Sequence, residues 1–265
     1  MKKTKPPKPK AHTAEKGKDK PQATPTQMVP PQIGFDRLIR LEWIRAALEV
    51  RTGQRSVDQL EEMLSNAGLG KEAMAKTRTK LNGLCLQPRP ELADFVARGS
   101  NLLTAVPPVP VVAIAWGMAI TVYPFFAKVA ELAGRLTAIQ GDCSTLEIHR
   151  RISEFYGERQ VTKRATQAVL QTQADWGAVE RMEKGKRIAR RTPRTVTNEQ
   201  AVAWLIEGLI RAIGRPIPAA ALQSHPVLFP FLLDPSIAYV VSTNPSLEMR
   251  TEGGGGPVVA VRAVA

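Results

Sequence analysis

The stretch STLEIHRRISEFYGERQVTKRATQAVLQTQADWGAVERMEKGKRIARRTPR, residues 144–194, decides the predicted fold. Ser144 and Glu147 have the spacing of a capping box, in which each side chain accepts a hydrogen bond from a backbone amide at the start of a helix. Three large apolar side chains then recur at helical spacing: Ile148, Ile152 and Phe155. Gly157 is a natural helix stop. The pattern predicts one amphipathic helix with these three side chains buried.

A second helix is predicted over 162–176, after a short turn at 158–161. Two strand-like segments follow, 179–183 and 187–191, joined by Lys184-Gly185-Lys186. Helix, tight turn, helix and then a basic hairpin is the order of a winged helix. The sequence therefore predicts a winged-helix-like segment here.

A helical wheel of the second helix separates an apolar sector from a polar one. The predicted core-facing sector contains Val161, Ala165, Ala168, Val169, Thr172 and Trp176. The opposite side carries Lys163, Thr166, Gln167 and Leu170, with Arg164 on a flank. Basic side chains can reach guanine or phosphate, glutamine can pair with adenine, and threonine can contact phosphate or a thymine methyl. An ordinary solvated helix face would have a similar composition.

The distribution of charge favours a nucleic-acid partner. The net charge is +13, of which residues 1–20 contribute +6 (eight lysines, two acids) and residues 149–194 contribute +7 (twelve basic residues, five acids). The remaining residues are balanced. Clustered cations suit a polyphosphate, because each neutralised phosphate releases counterions; basic windows that aid solubility or contact anionic lipid are the alternatives. The predicted nucleic-acid contacts are Arg159, Lys163, Arg164, Thr166, Gln167, Lys184, Lys186, Arg187, Arg190, Arg191 and Arg194.

The whole chain is predicted to be mostly α-helical, with one or two winged-helix-like modules and short β-hairpins. We divide it into a disordered basic tail (1–32), a helical domain (33–141), the winged-helix-like segment (142–195) and a near-neutral C-terminal unit of helices and a hairpin (196–265), the second winged-helix-like module. Residues 102–127 carry no charge and are the one membrane candidate, but prolines leave only residues 111–123 uninterrupted. A buried core helix is favoured over membrane insertion.

The motifs of common enzyme and metal sites are missing from the sequence. Its histidines are His12, His149 and His225, and none has a second ligand at metal-binding spacing. No nucleophile elbow or phosphate-binding loop occurs. We therefore expect no catalytic residues, no metal, no cofactor and no small-molecule substrate. The two cysteines, Cys85 and Cys143, have apolar neighbours and suit a reducing cytoplasm.

Three short motifs carry a resemblance to a known family. They are Trp-x6-Tyr-Pro-Phe (Trp116–Phe125), Phe-Pro-Phe (Phe229–Phe231) and Asn-Pro-Ser-Leu-Glu (Asn244–Glu248). With the order of elements over residues 35–262, they resemble the BrxA family of bacterial BREX phage-defence systems. The resemblance implies a small helical protein that bears winged helices, binds DNA and acts with other defence-system proteins. The lysine-rich tail and the glycines 253–256 depart from that pattern.

The expected function is therefore that of a cytoplasmic, non-enzymatic DNA-binding accessory protein, with DNA favoured over RNA. One alternative is a non-catalytic adaptor in a multiprotein complex, which would use the neutral N- and C-terminal units as docking faces. Another is a membrane-associated protein anchored through residues 102–127.

Overall fold

The computed structural model describes Met1, residues 32–251 and residues 256–262. The protein is mostly helical with a few small sheets, as predicted. Apart from Met1 and Gln32, the predicted tail lies outside the described residues. The N-terminal part contains six helices: α1 (Leu41–Arg51), α2 (Val57–Asn66), α3 (Lys71–Leu81), α4 (Ala93–Asn101), α5 (Val111–Val122) and α6 (Pro124–Gln140). A π-helical turn, Asn82–Leu86, extends α3.

Helix α5 is covered by protein along its whole length. All twelve of its residues are buried, including Thr121, whose hydroxyl donates to the carbonyl oxygen of Gly117 at 2.7 Å. Among the described residues, no single helix has the length and apolar character needed to cross a membrane. α5 and α6 meet those criteria only as a pair, with a bend of 117° between them. The uncharged stretch of the sequence thus supplies the central core helix.

The middle of the chain forms a helical pair against a three-stranded sheet. Its elements are β1 (Asp142–Ser144), α7 (Thr145–Tyr156), α8 (Gln160–Asp175), β2 (Val179–Met182) and β3 (Arg187–Arg190). The sheet is antiparallel with the strand order β1-β3-β2, so the first strand pairs with the last. Helix α6 packs against α7, α8, β1 and β3, and so covers this unit from the N-terminal side.

The C-terminal part repeats this strand order. Its elements are β4 (Arg194–Val196), α9 (Glu199–Ile213), β5 (Ile217–Pro218), α10 (Ala219–Leu222), β6 (Phe231–Leu233), α11 (Ile237–Thr243), β7 (Leu247–Thr251) and β8 (Pro257–Val261). β5, β8 and β7 form an antiparallel sheet in that order, while β4 and β6 form a separate parallel pair. The strand order first-last-middle therefore occurs twice in the chain.

One continuous core connects these parts, from Phe35 to Val259. Trp116 of α5 lies at its centre, with ring centroids 5.2 Å from Phe126, 6.2 Å from Trp176 and 5.4 Å from Phe229. These partners belong to α6, to the end of α8 and to the C-terminal part. Edge-on aromatic contacts of this kind add about 0.5–1.5 kcal/mol each beyond their buried area.

A second tryptophan is held between glycines. The Trp204 ring stacks on Phe95 at 4.6 Å, and its Nε1 donates to the Phe95 carbonyl oxygen at 2.9 Å. A Cβ atom on either Gly99 of α4 or Gly117 of α5 would overlap the Trp204 ring. The two glycines therefore allow α9 to insert a large side chain between two other helices.

Replacing Gly117 by Ala tests this packing. Alanine favours the helix interior by about 0.5–1 kcal/mol, but the new Cβ would overlap the Trp204 ring, which is already stacked on Phe95. We expect Gly117→Ala to destabilise the protein by about 1–3 kcal/mol, the usual cost of overpacking, in urea unfolding followed by far-UV circular dichroism. Gly70→Ala, at the N-cap of α3, is the steric control: nothing lies within 4 Å of a Cβ there, so only the change of N-cap residue, about 1 kcal/mol or less, should affect stability. A Gly117→Ala protein as stable as wild type would contradict the proposed packing.

Candidate nucleic-acid interface

The start of α7 is capped, but differently from the prediction. The Ser144 hydroxyl oxygen accepts a hydrogen bond from the Leu146 amide at 3.2 Å. Glu147 does not complete a capping box; its carboxylate instead accepts from Arg150 at 3.0 Å and Arg151 at 2.6 Å. These two guanidinium groups lower the pKa of Glu147 to about 2. Arg150 and Arg151 therefore have an acidic partner within their own helix.

The turn between α7 and α8 forms where the sequence predicts it. Gly157 ends α7 with a φ of 79°, and its carbonyl oxygen accepts a hydrogen bond from the Thr162 hydroxyl at 2.9 Å. The prediction that Phe155 is buried is wrong: it is 53% exposed, and Tyr156 takes the buried position. Lys128 of α6 places its Nζ 4.2 Å from the centroid of the Phe155 ring, which explains how an exposed phenylalanine is accommodated.

Helix α8 presents a narrower polar face than the helical wheel indicates. Lys163, Arg164 and Gln167 are exposed as predicted. Thr166 and Leu170, predicted on the same face, are buried, whereas Val161, predicted in the core, is 46% exposed. The Thr166 hydroxyl is used inside the helix, where it donates to the Thr162 carbonyl oxygen at 2.9 Å.

The wider buried sector of α8 has a tertiary cause. The chain just before α1 packs on its C-terminal half, where the Ile39 amide donates to the Thr172 hydroxyl at 3.1 Å and the Trp176 Nε1 donates to the Ile39 carbonyl oxygen at 2.9 Å. α6, α7 and β2 also pack against α8. Because several elements cover α8, its buried sector is wider than the single stripe expected for a surface helix.

The hairpin that follows α8 has a short tip with an unusual backbone. Glu183, Lys184 and Gly185 have φ angles of 49°, 57° and 85°, which places all three in the left-handed region. The tip is attached to the start of α7, because the Thr145 amide donates to the Lys186 carbonyl oxygen at 2.9 Å and its hydroxyl donates to the Gly185 carbonyl oxygen at 3.2 Å. The lysines of the tip are therefore held beside the helical pair.

Three of the predicted contact arginines have partners inside the protein. Arg187 forms an ion pair with Asp142 of β1. Arg190 donates to the Phe229 carbonyl oxygen and lies over that ring, with its Cζ 5.7 Å from the centroid. Arg194 donates to the Trp176 carbonyl oxygen at 3.0 Å. These contacts connect the hairpin and β4 to their neighbours, but only Arg187 has an acidic partner among the described residues.

A second group of basic side chains is exposed and forms no ion pair or side-chain hydrogen bond with any residue that the structure describes. Its members are Lys163, Arg164, Arg181, Lys184, Lys186 and Arg191. They lie on α8, on β2 and at the two ends of the hairpin. We call this set the free basic group. Arg159 is intermediate: it is exposed, but it donates to the Tyr156 carbonyl oxygen at 2.8 Å.

The sequence did not indicate which residues hold the hairpin in place. Asp142 and Thr145 lie about 40 residues before the hairpin segments that they bind, and neither belongs to a recognisable motif. Within residues 32–251 and 256–262, no three metal-ligating side chains come together.

The chain matches no protein-family model, no curated protein and no solved structure. Its function has to be inferred from the charges and contacts of its own residues.

Arg190 and Arg191 provide a matched pair that separates the two groups of cations. Arg190→Ala removes a hydrogen bond and a cation–π contact from a half-buried site, and we expect a loss of about 1–3 kcal/mol in the free energy of unfolding. Arg191→Ala removes an exposed side chain without a described partner, and we expect no measurable change. Urea unfolding of both variants is the measurement. Equal stabilities would show that Arg190 has no structural role.

Proposed function

We propose that this protein is a non-catalytic DNA-binding protein that contacts duplex DNA through α8 and the β2–β3 hairpin. The free basic group is the observation that carries the proposal. Elsewhere in the same segment, arginines such as Arg150 and Arg187 are neutralised by acidic residues. Six cations without a described partner lie within residues 163–191, on one helix and the hairpin that follows it, and this concentration of positive charge favours a polyphosphate partner.

The order of elements supports a winged-helix mode of binding. α6, β1, α7, α8, β2 and β3 follow one another with the sheet order β1-β3-β2. In this interpretation α8 is the recognition helix that enters the major groove, and the hairpin is the wing beside it. The attachment of the hairpin tip to Thr145 supports a wing of fixed position.

The proposed DNA contacts are side chains that are exposed on α8 and the hairpin. Lys163 and Arg164 are proposed to reach phosphate or guanine, and Gln167 to pair with adenine. Lys184 and Lys186 are proposed to contact the phosphate backbone of the DNA. Thr166, which is buried, is withdrawn as a contact. Arg187, Arg190 and Arg194 are reassigned as residues that position the wing, because their side chains bind protein groups.

Duplex DNA is a better partner than duplex RNA for this surface. A helix fits the major groove of B-form DNA, whereas the major groove of A-form RNA is too narrow for protein side chains to read. The C-terminal part, residues 196–265, repeats the strand order but has four arginines and five acids. We propose no DNA contact for it.

We also propose that this activity takes place in the cytoplasm. Both cysteines are free and buried, which fits the reducing cytoplasm. The resemblance to the BrxA family supports a role in bacterial phage defence together with other proteins of such a system.

Removing charge from the wing is the first test. We expect Lys184→Gln, Lys186→Gln and Arg191→Gln, combined in a chain that begins at Gln32, to weaken binding of a labelled DNA duplex at least tenfold. The slope of log K against log salt should fall by about 0.9 for each phosphate that the variant no longer neutralises. Fluorescence anisotropy between 50 and 200 mM salt measures both. The shortened chain is used because the lysines of residues 1–20 would bind DNA by themselves.

The control variant removes three positive charges from positions outside α8 and the hairpin. Arg45, Lys71 and Arg215 are exposed and have no ion pair with a described residue, so Arg45→Gln, Lys71→Gln and Arg215→Gln change the net charge equally. An equal loss of affinity in both triple variants would show that only net charge matters, and the wing assignment would be wrong.

The two neighbours Thr166 and Gln167 test the face of α8. Gln167→Ala should cost about 1–3 kcal/mol of binding free energy to a duplex that contains the preferred adenine, the range for a bidentate base contact. Thr166→Val changes a buried side chain and should leave DNA affinity unchanged within a factor of about two. A larger effect from Thr166→Val than from Gln167→Ala would mean that α8 binds through a different face.

A further inference from the structure

A groove with apolar walls lies between the end of α6, strand β3 and residues 223–232. Its volume is about 530 Å³, within the range of sites that bind small ligands or short peptide segments. Ile139 and Leu232, at its rim, are 76% and 53% exposed. Exposed apolar side chains that border a groove are typical of sites where other molecules bind.

Arg190 gives this groove a positive charge. Its side chain has no ion pair with any described residue, and its Nε is buried without a hydrogen-bond partner. Burial lowers the pKa of Arg190, because the charged form is partly removed from water. A half-buried cation without a counter-ion is costly, so an anion that reached it would stabilise the protein.

The other ionisable groups of the groove do not cancel this charge. Arg135 donates to Glu131 at 2.7 Å, and the same carboxylate accepts from Lys128 at 3.0 Å. Burial lowers the pKa of His225, which favours the neutral imidazole. Arg190 is therefore the one cation among the described lining residues that lacks an acidic partner.

We propose that this groove binds a short peptide segment of a partner protein, with branched aliphatic side chains against Ile139 and Leu232 and a carboxylate paired with Arg190. The apolar walls favour a peptide over nucleic acid, whose bases and phosphates would remain poorly matched to them. The cation selects a carboxylate-bearing peptide over an uncharged one. This binding site goes beyond the DNA contact, since none of the free basic group lines it.

Two tetrapeptides test the proposal on the full-length protein. The probe is fluorescein-labelled Gly-Ile-Leu-Val with a free C-terminal carboxylate, and the comparison peptide is the same sequence with a C-terminal amide. We expect the carboxylate peptide to bind at least tenfold tighter in fluorescence anisotropy. Ile139→Asp and Leu232→Asp should each weaken its binding at least tenfold. Tyr239→Asp on α11, where the tyrosine is 52% exposed, is the matched control and should have no effect.

Arg190→Gln tests the role of the charge, because it retains much of the side chain and removes the cation. It should reduce the preference for the carboxylate peptide to less than twofold, with folding verified by a thermal melt. Ile139→Asp and Leu232→Asp keep the test valid if that variant does not fold, because they alter exposed positions. Equal binding of the two peptides to the wild-type protein, no binding at millimolar concentration, or an equal loss in Tyr239→Asp would each overturn the proposal.

Discussion

The hydrogen bond from the Trp116 Nε1 to the Val227 carbonyl oxygen, 2.9 Å long, fixes the centre on which the rest of the structure depends. It connects a helix that is buried on all sides to a loop more than 100 residues later in the chain. Around the same ring pack Phe126, Trp176 and Phe229, one from each neighbouring part of the protein. A buried indole must satisfy its N–H, so the loop at Val227 can occupy only one position relative to α5. The C-terminal part and the helical pair α7–α8 are thereby packed around the same side chain.

The predictions from sequence succeeded where the signals are local. Gly157 ends α7, and the segments on either side of Lys184-Gly185-Lys186 form a hairpin, because helix stops and turns depend on a few adjacent residues. They failed where distant residues decide. Thr166 and Phe155 were placed on the wrong side of their helices, since the position of the buried face depends on which elements pack against it. The helical wheel of α8 contains no information about α6, α7 and β2, which pack against it in the folded chain.

Prediction of the charged residues in the candidate site was limited in the same way. The sequence correctly located a concentration of basic residues, but it could not separate the cations with partners from those without. Arg190 and Arg191 are adjacent and chemically identical, yet one lies against Phe229 and the other is exposed. Asp142, which pairs with Arg187, precedes it by 45 residues and is brought there by the pairing of β1 with β3. Only the folded chain distinguishes arginines that bind protein groups around the hairpin from those proposed to bind DNA.

The strand order first-last-middle occurs twice, in β1-β3-β2 and in β5-β8-β7. The first of these two units is strongly basic, whereas the second is near neutral. Because both are built around one core, they cannot swing apart as beads on a flexible tether would. A peptide bound in the groove at Arg190 would therefore keep one orientation relative to the surface of α8, because both belong to elements packed on the same core.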